Sequence, residues 1–189
     1  MNNPVHSIIV ILSMSFLGLG LLIQGYKLSR KGQHFLGAPA IQTAWFITGK
    51  ISLFLCWGLL LAKAIGPSLG WLLVFPPLPW IALILLIPGV LIMVVSFYDL
   101  GASLKVGLPR EETALKTNGL YRYSRNPLYL GVYMVTIASV IYFPDIANII
   151  FAASGIVIHH LITLSEEKFL SERFGDPYEV YKKKVRRYI

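Results

Sequence analysis

Residues 117 to 133, Thr-Asn-Gly-Leu-Tyr-Arg-Tyr-Ser-Arg-Asn-Pro-Leu-Tyr-Leu-Gly-Val-Tyr, decide the fold. A basic, tyrosine-rich approach runs directly into a proline and then into apolar sequence. Asn is a favoured helix N-cap and Pro a favoured first helical residue, so Asn126-Pro127 predicts a helix start. The apolar run continues to Tyr142. Phe143-Pro144-Asp145 is too short for anything but a tight turn, and a second apolar run follows from Ile146 to Leu164. These two runs predict an antiparallel hairpin. Beyond it lies a second polar cluster, Ser165-Glu166-Glu167-Lys168-Phe169-Leu170-Ser171-Glu172-Arg173-Phe174-Gly175-Asp176-Pro177-Tyr178. The hairpin therefore brings both polar clusters to one side of a bilayer.

Composition extends this reading to the whole chain. Hydrophobic residues make up 56% of the 189 residues and charged residues 14%, against roughly 25% charged in a soluble domain. Mean hydropathy is +0.66. The length suits a single domain, and the lone Cys56 excludes an internal disulfide. A span needs about 20 apolar residues. The candidates are Val5 to Tyr26, Ile41 to Ala64, Pro79 to Tyr98 with a kink expected at Pro88, Pro127 to Tyr142, and Ile146 to Leu164. The first lacks a basic leader and a small-residue cleavage site, so it reads as a retained span. The expectation is an all-α, polytopic helical membrane bundle with about five transmembrane helices.

The net charge of +8 does not point to nucleic acid, because the basic residues flank apolar spans. Fifteen of the 17 Lys and Arg residues lie in segments 27–40, 99–126 and 166–189, while segments 65–78 and 143–145 carry none. By the positive-inside rule the three basic segments face the cytoplasm, the N-terminus lies outside and the C-terminus inside. Eight of the nine acidic residues share the cytoplasmic side, Asp145 excepted. Carboxylates and tyrosines mixed into basic loops suggest a polar pocket at the membrane surface. No glycine-rich dinucleotide fingerprint or phosphate-binding loop is present, which excludes a soluble Rossmann-type enzyme.

Over residues 101–187 the motifs resemble the isoprenylcysteine carboxyl methyltransferase and phospholipid methyltransferase family, integral membrane enzymes that use S-adenosylmethionine. Arg125-Asn126-Pro127-Leu128-Tyr129 is similar to the family's Arg-His-Pro-x-Tyr, with Asn126 in place of the histidine. Leu115 to Tyr121 resembles its Leu-x-x-x-Gly-x-Tyr approach, and the paired glutamates with Phe174, Gly175, Tyr178 and Tyr181 resemble its C-terminal signature. The resemblance implies a cofactor site made of Leu115, Thr117, Gly119, Tyr121, Arg125, Asn126, Pro127, Tyr129, His160, Glu166, Glu167, Tyr178 and Tyr181. Arg125 and Glu167 are the expected catalytic residues, with Arg125 near the donor's carboxylate beside a helix N-terminus. The chain would form one membrane domain, residues 1–189. Residues 1–98 supply three spans, and 99–189 the cofactor-binding loop, the hairpin and a C-terminal lid helix.

Local patterns add detail. Gly175 suits the end of a helix continuing to Phe174, and Asp176-Pro177-Tyr178-Glu179 suits a capping box opening a last helix, Pro177 to Tyr188. Its stripe of Tyr178, Tyr181 and Val185 would close over the donor while Lys182, Lys183, Arg186 and Arg187 rest on anionic lipid. Adjacent glutamates on a helix point about 100° apart, so only one of Glu166 and Glu167 can face a given ligand. His159 and His160 lack the spacing of a metal pair and read as pocket wall; no metal is expected. Lys50, midway along the second span, is a costly charge and a candidate for substrate binding through a lipid phosphate.

Methyl transfer from a sulfonium is an in-line displacement that needs positioning and water exclusion. The implied acceptor is a lipid or lipidated molecule in the bilayer, either the carboxylate of an isoprenylcysteine-like group or the amine of a phospholipid. An amine must first lose a proton, for which Glu166 or Glu167 would be the base. The alternatives are a small polytopic transporter, or a non-catalytic membrane subunit, using intramembrane Lys50, His159 and His160.

Overall fold

The computed structural model describes residues 4–30, 37–66, 77–104, 107–108 and 114–189. Most of the uncharged loop at 65–78 and the basic residues Lys31, Lys105 and Arg110 lie outside the described residues. Six α-helices and no β-strands occur among the described residues: α1 (Pro4–Arg30), α2 (Thr43–Ile65), α3 (Leu78–Leu100), α4 (Pro127–Tyr142), α5 (Ile146–Phe174) and α6 (Asp176–Lys184). Four of them, α1, α2, α3 and α5, are long and apolar enough to cross a bilayer. The shorter α4 has 16 residues and is roughly 24 Å long at 1.5 Å per residue. The protein is a polytopic helical membrane bundle.

Side-chain pairings fix the helix directions. His6 meets Trp80, and Gln24 donates to the Gly101 carbonyl (3.2 Å), so α1 and α3 run parallel. Gly49 packs on Ile158 and Gly155 on Leu53, so α2 and α5 are antiparallel. The turn 143–145 makes α4 and α5 a hairpin, as expected. Its floor is a buried knot in which Asn148 donates to the Ser139 and Phe143 carbonyls (3.0 and 2.9 Å) and the Ser139 hydroxyl donates to the Cys56 carbonyl (3.0 Å). Cys56 itself is fully buried.

The α3–α4 seam depends on two glycines. A Cβ on Gly131 would sit 2.7 Å from the Gly89 carbonyl oxygen, and one on Gly89 would sit 3.2 Å from the Gly131 oxygen. Small residues let membrane helices approach this closely, where lipid supplies no hydrophobic drive to hold them together. Helix α3 runs without interruption through Pro88. Around the bundle Leu12, Leu22, Phe54, Ile84 and Val157 are exposed, an apolar girdle suited to acyl chains.

At one end of the bundle three loops are tied together. Ala38 and Leu108 exchange backbone hydrogen bonds (2.8 and 2.7 Å), linking the α1–α2 and α3–α4 connections. The Ser165 hydroxyl donates to the Ala40 carbonyl, adding the end of α5. Arg125 and Asn126 donate their backbone N–H groups to the Arg186 and Arg187 carbonyls (2.9 and 3.1 Å). The three basic segments thus share one end, as the charge pattern requires.

Candidate functional site

A pocket opens at that end, walled by Leu100 at the end of α3 and Ser103 just after it, by Leu115, Lys116 and Tyr121 before α4, and by Asn126, Leu128 and Tyr129 at its start. Glu166, Phe169, Leu170 and Phe174 of α5 form another wall, and Tyr178 and Tyr181 of α6 complete it. Residues 166, 169, 170 and 174 share one helical face. The three apolar members were legible as a stripe descending from Glu166, a signal the sequence reading did not use; it also missed Lys116.

The two glutamates diverge as helix geometry demands. Glu166 accepts the Tyr129 hydroxyl proton (2.9 Å) at the pocket. Glu167 points away from it, is buried, and is surrounded by donors: Arg125, Arg187 through Nε (3.1 Å), and Asn126 Nδ2 (2.8 Å). Neither glutamate is an exposed solvent group.

Arg125 is saturated. Its Nε and Nη2 reach the Glu167 carboxylate at 3.1 to 3.2 Å, and Nη1 donates to the carbonyls of Lys182 (3.1 Å) and Val185 (2.6 Å). A guanidinium has three nitrogens carrying its N–H donors, and all three are engaged within the protein. Arg125 borders the pocket, yet its donors tie α5 to the segment after α6. Asn126 occupies the N-cap position without a capping side-chain bond, because its amide is drawn to Glu167.

The end of the chain differs from expectation for the same reason. Helix α6 stops at Lys184, and Val185 is extended. The carbonyls of residues 182, 185, 186 and 187 are taken by Arg125, Asn126 and the Ser124 hydroxyl (3.1 Å to Arg187), which competes with continuing the helix. No capping box forms. Gly175, at φ 56°, is the N-cap, Asp176 lies inside the helix, and Glu179 instead accepts from Ser171 (2.8 Å) and Lys182 (3.3 Å). Arg187 does not rest on lipid; it is ion-paired with Glu167 (3.0 Å).

The remaining predicted residues separate into groups. Leu115, Tyr121, Tyr129, Tyr178 and Tyr181 line the pocket. Thr117 is exposed. Gly119, at φ 59°, allows a turn against α3, where a Cβ would meet the Asp99 carboxylate at 2.3 Å; the neighbouring Leu120 N–H donates to that carboxylate (2.7 Å). Pro127 starts α4. His160 is not in the pocket wall: its Nδ1 lies 2.8 Å from the Tyr188 hydroxyl, which also contacts Tyr133 (3.2 Å). Lys50 pairs with His159 behind the pocket (3.2 Å). Among the described residues no cluster of three metal-ligating side chains occurs.

Tyr121 and the two tyrosines of α6 are kept neutral. Burial, followed by the charge of Glu166, raises the Tyr121 hydroxyl far above the usual range. Burial and then Glu167 do the same for Tyr178. Burial pushes Tyr181 up to about 12, and its hydroxyl donates to the Tyr121 carbonyl. The buried Tyr178 hydroxyl lies beside Arg125 but completes no well-formed hydrogen bond among the described residues.

The fold and this pocket define an integral membrane protein with a polar, aromatic-lined chamber at the end where its charged loops gather. The family model for phospholipid methyltransferase matches residues 78–177, more than half of the chain. The chain therefore belongs to the phospholipid methyltransferase family, a class of membrane methyltransferases. No curated protein matches it. The match begins at Leu78, the first residue of α3, which places α3 in the family's region although the sequence motifs start after it. The α3–α4 glycine seam gives the physical reason, since α4 is seated on α3.

Proposed function

We propose that the protein is a S-adenosylmethionine-dependent methyltransferase acting at the membrane on a lipid or lipidated acceptor, either the amine of a phospholipid or an isoprenylcysteine-like carboxylate. The observation that carries this is the pocket itself: motif residues from α4, α5 and α6 converge on one chamber at the charged end of an apolar bundle. The chamber suits such a donor. Phe169, Phe174 and Tyr121 offer aromatic and apolar surface, Glu166 offers an anionic group, Lys116 a cationic one, and the Tyr178 hydroxyl is available for a hydrogen bond. When bound, the donor supplies an electrophilic methyl group for in-line transfer. The protein's residues bind and orient it and keep water out.

In this reading Glu166, Tyr129, Tyr121 and Lys116 contact the donor, and α6 with Tyr178 and Tyr181 forms the lid. Arg125 and Glu167 hold the lid segment in place. For an amine acceptor Glu166 is the group positioned to take the proton. The charged end faces the cytoplasm, where the water-soluble donor is found, and the acceptor reaches the chamber from the bilayer. Calorimetric titration of S-adenosylmethionine into detergent-purified protein tests the donor assignment. Saturable one-site binding is expected, and its loss on deleting residues 177–189 is expected if α6 is the lid. An unrelated transporter would bind none.

A further inference from the structure

The chamber carries one charge whose partner comes from a helix outside the chamber wall. Glu167 is balanced by Arg125 and Arg187. Glu166 is not: its hydrogen-bond donor is the neutral Tyr129, and behind Tyr129 stand the His159 ring and then the Lys50 ammonium of α2. Helix α2 contributes no described residue to the chamber wall. Lys50 lies seven residues into it, roughly 10 Å from its start.

Lys50 is built into this position. Gly49, beside it, brings α5 so close that a Cβ there would sit 2.6 Å from Ile158 and 3.3 Å from the His159 ring. His159 Nδ1 lies 2.8 Å from the Gly155 carbonyl. A carbonyl only accepts, so Nδ1 carries the proton and Nε2 presents a lone pair. Lys50 Nζ, 3.2 Å from Nε2, is therefore the donor, and the Phe46 ring face lies 5.1 Å from it. The other side of His159 faces the Tyr129 ring, at 6.1 Å. An intramembrane charge held by the His159 nitrogen and the Phe46 ring, with Tyr129 between His159 and the Glu166 carboxylate, is a costly arrangement for packing alone.

We propose that Lys50 is a positioning residue of the chamber, the counter-ion that maintains Glu166 as an anionic wall against a cationic group of the bound ligand. The proposal rests on the donor reading above. It assigns the α2 span a part in ligand choice although that helix lies outside the family match. The probes are S-adenosylmethionine, whose sulfonium is positively charged, and S-adenosylhomocysteine, whose thioether is neutral.

Both ligands are titrated into wild-type protein, Glu166→Gln, Lys50→Met, Lys50→Arg and the Lys50→Met/Glu166→Gln double variant. Glu166→Gln is expected to reduce the preference for the cationic ligand by about tenfold, the equivalent of roughly 1.4 kcal/mol. Lys50→Met should reduce it to a similar extent, the double variant should lose no more than either alone, and Lys50→Arg should retain the wild-type preference. Equal weakening of both ligands in Lys50→Met, additive losses, or no change would overturn the counter-ion role while leaving the donor assignment standing. Should Lys50→Met fail to fold, the double variant, in which both charges are absent, is expected to fold and to show the Glu166→Gln preference; failure there also overturns it. Wild-type protein that binds neither ligand would remove the donor assignment and this proposal together.

Discussion

The guanidinium of Arg125 has five N–H groups and five acceptor contacts inside the protein, with side-chain exposures of 8% and 5% for it and Glu167. Truncating one partner of a buried pair costs about 3–5 kcal/mol, chiefly because the other charge is left behind. Glu167 retains Arg187 and Asn126, so Arg125→Ala should cost about 3 kcal/mol, the low end of that range, read as a lower thermal unfolding midpoint in detergent. Arg125→Lys should recover little, since an ammonium cannot serve a carboxylate and two carbonyls in the geometry of a planar fork. A midpoint unchanged in Arg125→Ala would show that the clasp is not stabilising. The tyrosines give a second residue-scale expectation. Tyr181 ionises near 10 in an unfolded chain and at about 12 in the folded one. A hydroxyl whose folded value is raised contributes stability that is complete below pH 10 and lost as pH rises to 12. Ultraviolet absorbance of tyrosinate should therefore show one class of tyrosines resisting titration below pH 11, and Tyr181→Phe should flatten the alkaline loss of stability. At this scale the motif residues were legible by type, whereas their partners were not. Nothing in the spacing of Arg125 and Glu167 reveals that residues 182 to 187 return to meet them, because that pairing is made by backbone carbonyls common to every sequence.

Among the elements, the α3–α4 seam is the most sensitive to change. Gly131→Ala would press a methyl group to 2.7 Å from the Gly89 carbonyl and 2.6 Å from Met93. The methionine can move and the backbone carbonyl cannot, so the substitution should cost about 1–3 kcal/mol, the range for overpacking. Gly58→Ala is the control: nothing lies within 4 Å of a Cβ there, and the change should be neutral or slightly stabilising. Thermal unfolding of the two variants decides it, and equal effects would show that the seam has slack. The helices themselves were legible from apolar run length, and the hairpin turn from its three-residue link. The true end of α6 was not, because its sequence favours continuing to Tyr188 until Arg125 and Asn126 claim the carbonyls of the last turn. Helix α3 continues on both sides of Pro88 as one element.

For the molecule as a whole, the pairing of Ala38 with Leu108, Ala40 with Ser165 and Arg125 with Arg186 gathers the three basic segments at one end. Positive-inside then predicts which end meets the cytoplasm. In a Cys56→Ser background, Ser68→Cys should react with an impermeant thiol reagent applied outside intact cells, and Lys183→Cys should react only after permeabilisation. The reverse pattern would invert the bundle and separate the chamber from a cytoplasmic donor. The same-side grouping was legible because charge asymmetry is written directly in the loops. The chamber was legible only as two polar clusters, since its α3 wall carries few polar residues.

The native Cys56 offers something apart from chemistry or topology. It is the chain's only thiol, it is wholly buried, and its carbonyl is tied to Ser139 at the floor of the hairpin knot. A small permeant thiol reagent can reach it only when α2 separates from α4. The rate of its modification in unaltered protein is therefore an intrinsic stopwatch for bundle opening, readable by mass spectrometry without introducing a probe, and a ligand that braces the bundle would register as a slower tick.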